Sequence, residues 1–317
     1  MELHGDGSTP VPPPGPQPLI ELEGLTQAYG DTVALSGLTG RIPPGSIGLV
    51  GANGAGKSTL MKVLLGILRP SAGSATVLGH SVADDTIAMR AKVGYMPERG
   101  GLPPDQTAAD FMIYAAELAG VPHKAANQRA SDVLSLCGLH EERFRYLGDF
   151  STGMWQRALL AQAIVHDPEL VLLDEPLAGL DPEGRDDMLN LIGRLKGFGI
   201  NTLVSSHVLH DIECTCNWIV MIEGGQLVRN SALWSLTSGD TVRLEVLRDG
   251  ELVGNALRER GASVRVDGLR LDVAAGKEDP YDLIMEVLAE TDAGLRLLRQ
   301  SGASLEDAYL SGRGGGS

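Results

Sequence analysis

A chain of 317 residues that is 43% hydrophobic has the material for a full-sized globular core and a second, smaller domain. Its 26 basic and 41 acidic residues leave a net charge of −15, which repels a phosphate backbone, so nucleic acid is not expected as a partner. No window of about eighteen residues is free of charges and helix breakers, no basic stretch leads into an apolar one at the N-terminus, and Cys137, Cys214 and Cys216 make no even framework; neither a membrane span nor a secretory signal is expected, and the reducing cytoplasm is the expected compartment.

In chain order, residues 1–18 hold six prolines among short polar spacers and are expected to stay unfolded. Strand-like segments follow at 19–25, 33–38 and 45–50, the last ending in a glycine-rich stretch. A helix is expected at 57–68, with apolar residues at Leu60, Met61, Leu64, Leu65 and Leu68 and the Arg69-Pro70 pair as its stop. Helical signals dominate from 104 to 148, clearest at 108–118 and 127–137. A buried strand at 170–174, a helix near 182–198 and a strand at 200–205 complete a pattern that argues for a parallel α/β core with an all-helical insert, about 99–168. After about Thr237 the segments 241–247, 254–260, 263–267, 270–273, 281–288 and 295–300 read strand, helix, strand, strand, helix, strand. That order resembles a split βαββαβ sandwich over 238–311, with 312–317 as a second tail. Cys214 and Cys216, without further ligands at metal spacing, are expected to be packing or surface thiols.

Two motifs carry chemistry. Gly51-Ala-Asn53-Gly54-Ala55-Gly56-Lys57-Ser58-Thr59 satisfies G-x-x-x-x-G-K-[ST] between an apolar strand and an amphipathic helix. Its glycines let backbone N–H groups face a polyphosphate, Lys57 supplies a cation to the terminal phosphates, and Ser58 offers a hydroxyl to Mg²⁺. Residues 170–173, all apolar, run into Asp174 and Glu175, which places two acids at the exposed end of a buried strand. Asp174 suits the Mg²⁺ shell, and Glu175 suits the role of general base toward an attacking water.

About twenty residues before that acidic strand, Asp149-Phe-Ser-Thr-Gly-Met-Trp-Gln-Arg157 resembles the signature of the ATP-binding cassette (ABC) family. The resemblance covers roughly residues 19–237 and implies a P-loop α/β cassette that binds and hydrolyses ATP. It implies that Tyr29 stacks on adenine, that Asp181 in Ala-Gly-Leu-Asp lies on a loop crossing a dimer interface, and that His207 is a switch histidine near the γ-phosphate. Where the family's signature usually reads Leu-Ser-Gly-Gly-Gln, this chain has Phe150-Ser151-Thr152-Gly153-Met154, keeping the Ser151 and Gly153 that would face phosphate. Where many members have glutamine after Gly-Tyr-x-Pro, it has Glu98, which can still ligate Mg²⁺.

The Glu98 variant, the Ser-Thr-Gly-Met form of the signature and a terminal module closing in Ser304-Leu-Glu-Asp-Ala-Tyr-Leu310 resemble ATP-binding subunits of ABC-2-type exporters. Such a subunit would pair head to tail with a second one, a homodimer in the simplest case, at the cytoplasmic face of the cell membrane. It would drive a separate permease chain, with coupling contacts expected in residues 98–117. The alternative is a cassette ATPase acting on a ribosome or DNA, which usually carries two cassettes or long coiled coils. The terminal module is open to two readings, a dimerising or stabilising appendage and a ligand-binding regulator.

Overall fold

The computed structural model describes residues 17–233, 241–274, 280–291 and 293–300; residues 1–16, the Ser304 to Leu310 motif and the 312–317 tail lie outside them. Strand β1 (Ile20–Tyr29) turns at Gly30 into β2 (Thr32–Ile42). Its alternation of buried Ile20 and Leu22 would put residue 24 inward; a register shift at Glu23–Gly24 returns Leu25 to the core instead. Strand β3 (Ser46–Val50) is buried throughout and runs through the glycine loop into helix α1 (Lys57–Leu64). That helix is shorter than its apolar spacing suggests: Gly66 takes φ 64°, and Ile67 and Leu68 both donate N–H groups back to Lys62, closing the helix before Arg69-Pro70.

The next stretch is not helical. Strands β4 (Ala72–Val77) and β5 (His80–Ser81), helix α2 (Thr86–Arg90) and strand β6 (Val93–Met96) precede helices α3 (Ala108–Leu118), α4 (His123–Leu136) and α5 (Thr152–Ile164). The insert expected at about 99–168 is helical, built by α3, α4 and α5; the three strands β4, β5 and β6 lie between the glycine loop and that insert, and α5 packs on β6. Strand β7 (Leu170–Leu173), helix α6 (Pro182–Leu195), strand β8 (Asn201–Ser206), helix α7 (Leu209–Thr215) and strands β9 (Trp218–Glu223) and β10 (Gln226–Ala232) follow.

Strands β1, β2, β4 and β5 make an antiparallel sheet of order β2-β1-β4-β5, and the others a six-stranded sheet of order β10-β9-β3-β8-β7-β6, parallel except for β10. Both faces of the parallel sheet are covered, which is why its strands are continuous apolar runs. In β7, Leu170 and Leu172 join α1 and the antiparallel sheet, while Val171 and Leu173 join the helices on the other side. No helix among the described residues is long and apolar enough to cross a membrane.

Beyond these, β11 (Thr241–Val246), α8 (Gly250–Glu259), β12 (Ser263–Asp267), β13 (Arg270–Ala274), α9 (Pro280–Thr291) and β14 (Leu295–Gln300) build an antiparallel sheet of order β12-β13-β11-β14. Val242, Leu244, Leu271 and Val273 of its inner face pack with Val253 and Leu257 of α8 and Ile284 and Val287 of α9 in a hydrophobic cluster of their own. The opposite face is a lattice of cross-strand ion pairs, with Arg243 on Asp272 at 2.7 Å and Arg296 on Glu245 at 3.3 Å.

Candidate functional site

The strand order decides what meets. β3, β8, β7 and β6 are neighbours running in one direction, so their carboxyl ends deliver the glycine loop, His207, the Asp174-Glu175 pair and Glu98 side by side. Glu98, Glu175 and His207 line one cleft of about 380 Å³ with Ala34 of β2, Asn53, Gly54, Gly56, Lys57, Ser58, Thr59 and Ala178, while Asp174 is buried next to Ser58.

The glycines of the loop are there for reasons of space. A Cβ on Gly51 would stand 2.4 Å from the Ile222 carbonyl oxygen of β9, and one on Gly56, at φ 109°, would stand 2.8 Å from the Ala34 carbonyl oxygen. Ala55 is buried against this floor. Gly56 caps α1 without any side-chain hydrogen bond, and the first turn holds no acid, so the helix opens into the cleft with bare N–H groups and the positive end of its dipole.

Lys57 is only 6% exposed; its Nζ donates to the Gly51 carbonyl at 2.6 Å and lies 3.4 Å from Glu175 Oε1. Glu175 Oε2 is 3.0 Å from His207 Nδ1, so one carboxylate bridges the loop lysine and the histidine after β8. Asp174 is buried, its N–H donates to the Met96 carbonyl at 2.9 Å, and the Ser58 hydroxyl reaches its Oδ1 at 3.4 Å. Burial above all, and then the nearby carboxylates of Asp174 and Glu98, push the Tyr95 hydroxyl up to about 12. Hard oxygen donors with surplus negative charge suit Mg²⁺, which keeps several waters and takes one or two carboxylates beside substrate phosphates. Ser58, Asp174 and Glu98 fit that requirement, although Glu98 is half-exposed and pairs with Arg99 at 3.2 Å.

Other expected site residues lie elsewhere. Ser151 caps α5, accepting from the Met154 N–H at 3.3 Å, and Asp181 caps α6, accepting from the Gly184 N–H at 3.2 Å. With Thr152 and Gly153 they line a separate concavity of about 480 Å³, which shares no residue with the glycine-loop cleft. Tyr29 stands half-exposed at the tip of the β1–β2 hairpin and does not line the cleft; the hairpin contributes Ala34 instead.

Two contacts are not legible in the sequence. Ser205, fully buried, donates to Asp174 Oδ1 at 2.8 Å and accepts from the Glu175 N–H at 2.8 Å. Asp211 of α7, also buried, holds Arg185 of α6 through two contacts of 2.6 Å and accepts from Ser206 at 3.2 Å, anchoring the segment that carries His207. The doublet Ser205-Ser206 before His207 is the only sequence signal of either.

A family model described as ABC transporter matches residues 35–178. The chain is 30% identical over 305 residues to the linearmycin resistance ATP-binding protein LnrL of Bacillus subtilis, covering 92% of this chain and 97% of that one. It is 30% identical over 306 residues to the daunorubicin/doxorubicin resistance ATP-binding protein DrrA of Streptomyces peucetius, covering 93% and 92%. A solved ATP-binding subunit of an ABC transporter superposes with a TM-score of 0.62 at 28% identity, over 69% of this chain and 91% of that chain.

Proposed function

The chain belongs to the ABC transporter family, as an ATP-binding protein of the ABC-2 exporter type, and from that premise we propose that two such cassettes close on ATP to drive export through a separate membrane permease. The observation that carries this reading is the division of the expected site into two concavities. The glycine loop, Glu98, Glu175 and His207 line one, and Ser151, Thr152, Gly153 and Asp181 line the other. Neither half encloses a nucleotide; a second copy placed head to tail would set each half against its complement.

In that arrangement the N–H groups opening α1 and the Lys57 ammonium bind the triphosphate, and Tyr29 reaches the base. Ser58 and Asp174, with Glu98, would hold magnesium, which would neutralise charge on the terminal phosphate oxygens. Glu175 takes the proton of the attacking water, and His207 fixes the carboxylate from its far oxygen. Ser151 and Gly153 of the second cassette face the γ-phosphate, so closure depends on that phosphate and reverses with its loss. Magnesium-dependent ATP hydrolysis by the purified chain, together with the identity of whatever co-purifies in detergent, tests the reading. An integral membrane protein supports it; ribosomes or DNA in its place would overturn it.

The permease would dock in a groove of about 790 Å³ on the flank of the cassette. Ile87 (87% exposed), Leu118 (70%) and Tyr114 (51%) stand open there. Tyr95 and Pro97 line the groove while Glu98, next in the chain, lines the nucleotide cleft, which links the two through β6. The groove includes Phe111 and Tyr114 from the 98–117 segment expected for coupling, and adds Ile67, Ile87 and Arg90 from outside it. Tyr114→Glu with Leu118→Glu is expected to abolish co-purification of the membrane partner while the isolated chain keeps its ATPase rate within about twofold, since surface substitutions away from packed features are nearly neutral. Transport at the original rate by this variant would remove the groove from the coupling path.

The βαββαβ unit we assign to an accessory domain that strengthens dimerisation. Deleting the residues after Thr237 is expected to weaken dimerisation while monomer ATP affinity stays within about threefold, because none of its residues lines the cleft. Dimerisation equal to that of the full chain would remove this role.

A further inference from the structure

We propose that Ser205 is a positioning residue for ATP hydrolysis, its hydroxyl locking Asp174 and Glu175 into one fixed relation, so that its loss costs turnover and leaves nucleotide binding largely intact. The inference rests on the reading of Glu175 as the base. A serine hydroxyl has one proton to give, and this one gives it to Asp174 Oδ1 at 2.8 Å while its oxygen takes the Glu175 N–H at 2.8 Å. Ser205 is fully buried and does not line the nucleotide cleft, so its bonds face no substrate.

Glu175 is where such a lock is needed. Its φ is 48°, the left-handed region that side-chain-bearing residues adopt only when their surroundings over-determine it. Beyond the local turn that the Ala178 N–H closes on its carbonyl at 3.0 Å, three contacts hold the residue: Ser205 through the backbone N–H, Lys57 at Oε1 and His207 at Oε2. Lys57 and His207 line the cleft and exchange partners when a triphosphate enters. Ser205 alone keeps its bond whichever groups the carboxylate meets, and it ties the backbone of the base to the carboxylate that serves the metal. The tie spans two adjacent strands whose register, Leu173 beside Val204, puts the residues that follow each at the same level.

Single-turnover and steady-state ATPase of the full chain test this with S205A, T202V and E175Q, each checked by thermal melting. S205A is expected to lower kcat about 10- to 100-fold, the cost of a displaced catalytic group, with KM for ATP changed less than about threefold. T202V removes a buried hydroxyl of the same strand that has no hydrogen-bond partner among the described residues, and is expected to retain the wild-type kcat. On the E175Q background, S205A is expected to cost no more than about a further twofold, because a base already lost cannot be lost again by misplacement. Should S205A melt early, S205T, which keeps the oxygen, carries the same test and is expected within about threefold of wild-type kcat. S205A at full kcat while E175Q is slow would overturn the inference and leave the base assignment standing. So would the same loss recurring in full on E175Q, T202V as slow as S205A, or S205T no faster than S205A. Wild-type turnover by E175Q itself would overturn both readings.

Discussion

Glu175→Gln is expected to slow ATP hydrolysis by about 100-fold or more, the usual contribution of a general base, while ATP still binds and the nucleotide-bound dimer accumulates. The amide matches the carboxylate in shape, so the backbone geometry at φ 48° and the bond from its N–H to Ser205 survive the change. What disappears is the capacity to take a proton, and with it one negative charge 3.4 Å from Lys57. A lysine released from that ion pair is freer to meet phosphate, so the affinity for ATP is expected to be unchanged or tighter, never weaker. Rapid-quench single turnovers read the rate and size-exclusion chromatography with ATP reads the dimer. Hydrolysis at the wild-type rate would mean that another group activates the water.

The residue types of this cleft were legible because each motif is contiguous: the glycine loop, the acidic pair and the Ser-Ser-His triplet announce themselves within a few positions. Their assembly was not, because it depends on β8 lying between β3 and β7, and nothing local in residues 201–206 says so. Ser205 is the clearest case. As a serine in a strand it is unremarkable, and only the β7–β8 register puts its hydroxyl beside Asp174. The boundaries follow the same rule. Strand β3 ends at Val50 as expected, one residue short of the expected 45–50 at its start, because apolar strand and glycines meet at a sharp edge, whereas α1 stops at Leu64 although Leu65 and Leu68 continue the apolar pattern. Strand β4 is illegible for the opposite reason: Ala-Gly-Ser-Ala-Thr-Val is small and half-exposed, and its pairing with β1, not its composition, makes it a strand. The Ile219 to Ile222 run is strand-like by composition, yet its place beside β3, where it backs Gly51, is a property of the sheet.

Lys57→Ala acts on the other side of the same ion pair and is expected to weaken ATP binding by about 10- to 100-fold, the worth of one charge-assisted hydrogen bond at about 1.5–3 kcal/mol. The loss exceeds a missing contact. With Lys57 gone, Glu175 and Asp174 face the incoming triphosphate with no compensating ammonium among the residues lining the cleft. That repulsion predicts a specific coupling: in the double variant Lys57→Ala with Glu175→Gln, removing the second charge recovers part of the affinity that the first substitution cost, and the two effects on binding do not add. Lys57→Arg is not expected to rescue, since a planar guanidinium cannot occupy the buried position from which Nζ reaches the Gly51 carbonyl at 2.6 Å. Isothermal titration with ATP and magnesium across the four proteins measures the cycle. Equal affinity for the wild type and Lys57→Ala would place the phosphates somewhere other than the amino end of α1, and additive losses would mean that lysine and glutamate do not share a substrate.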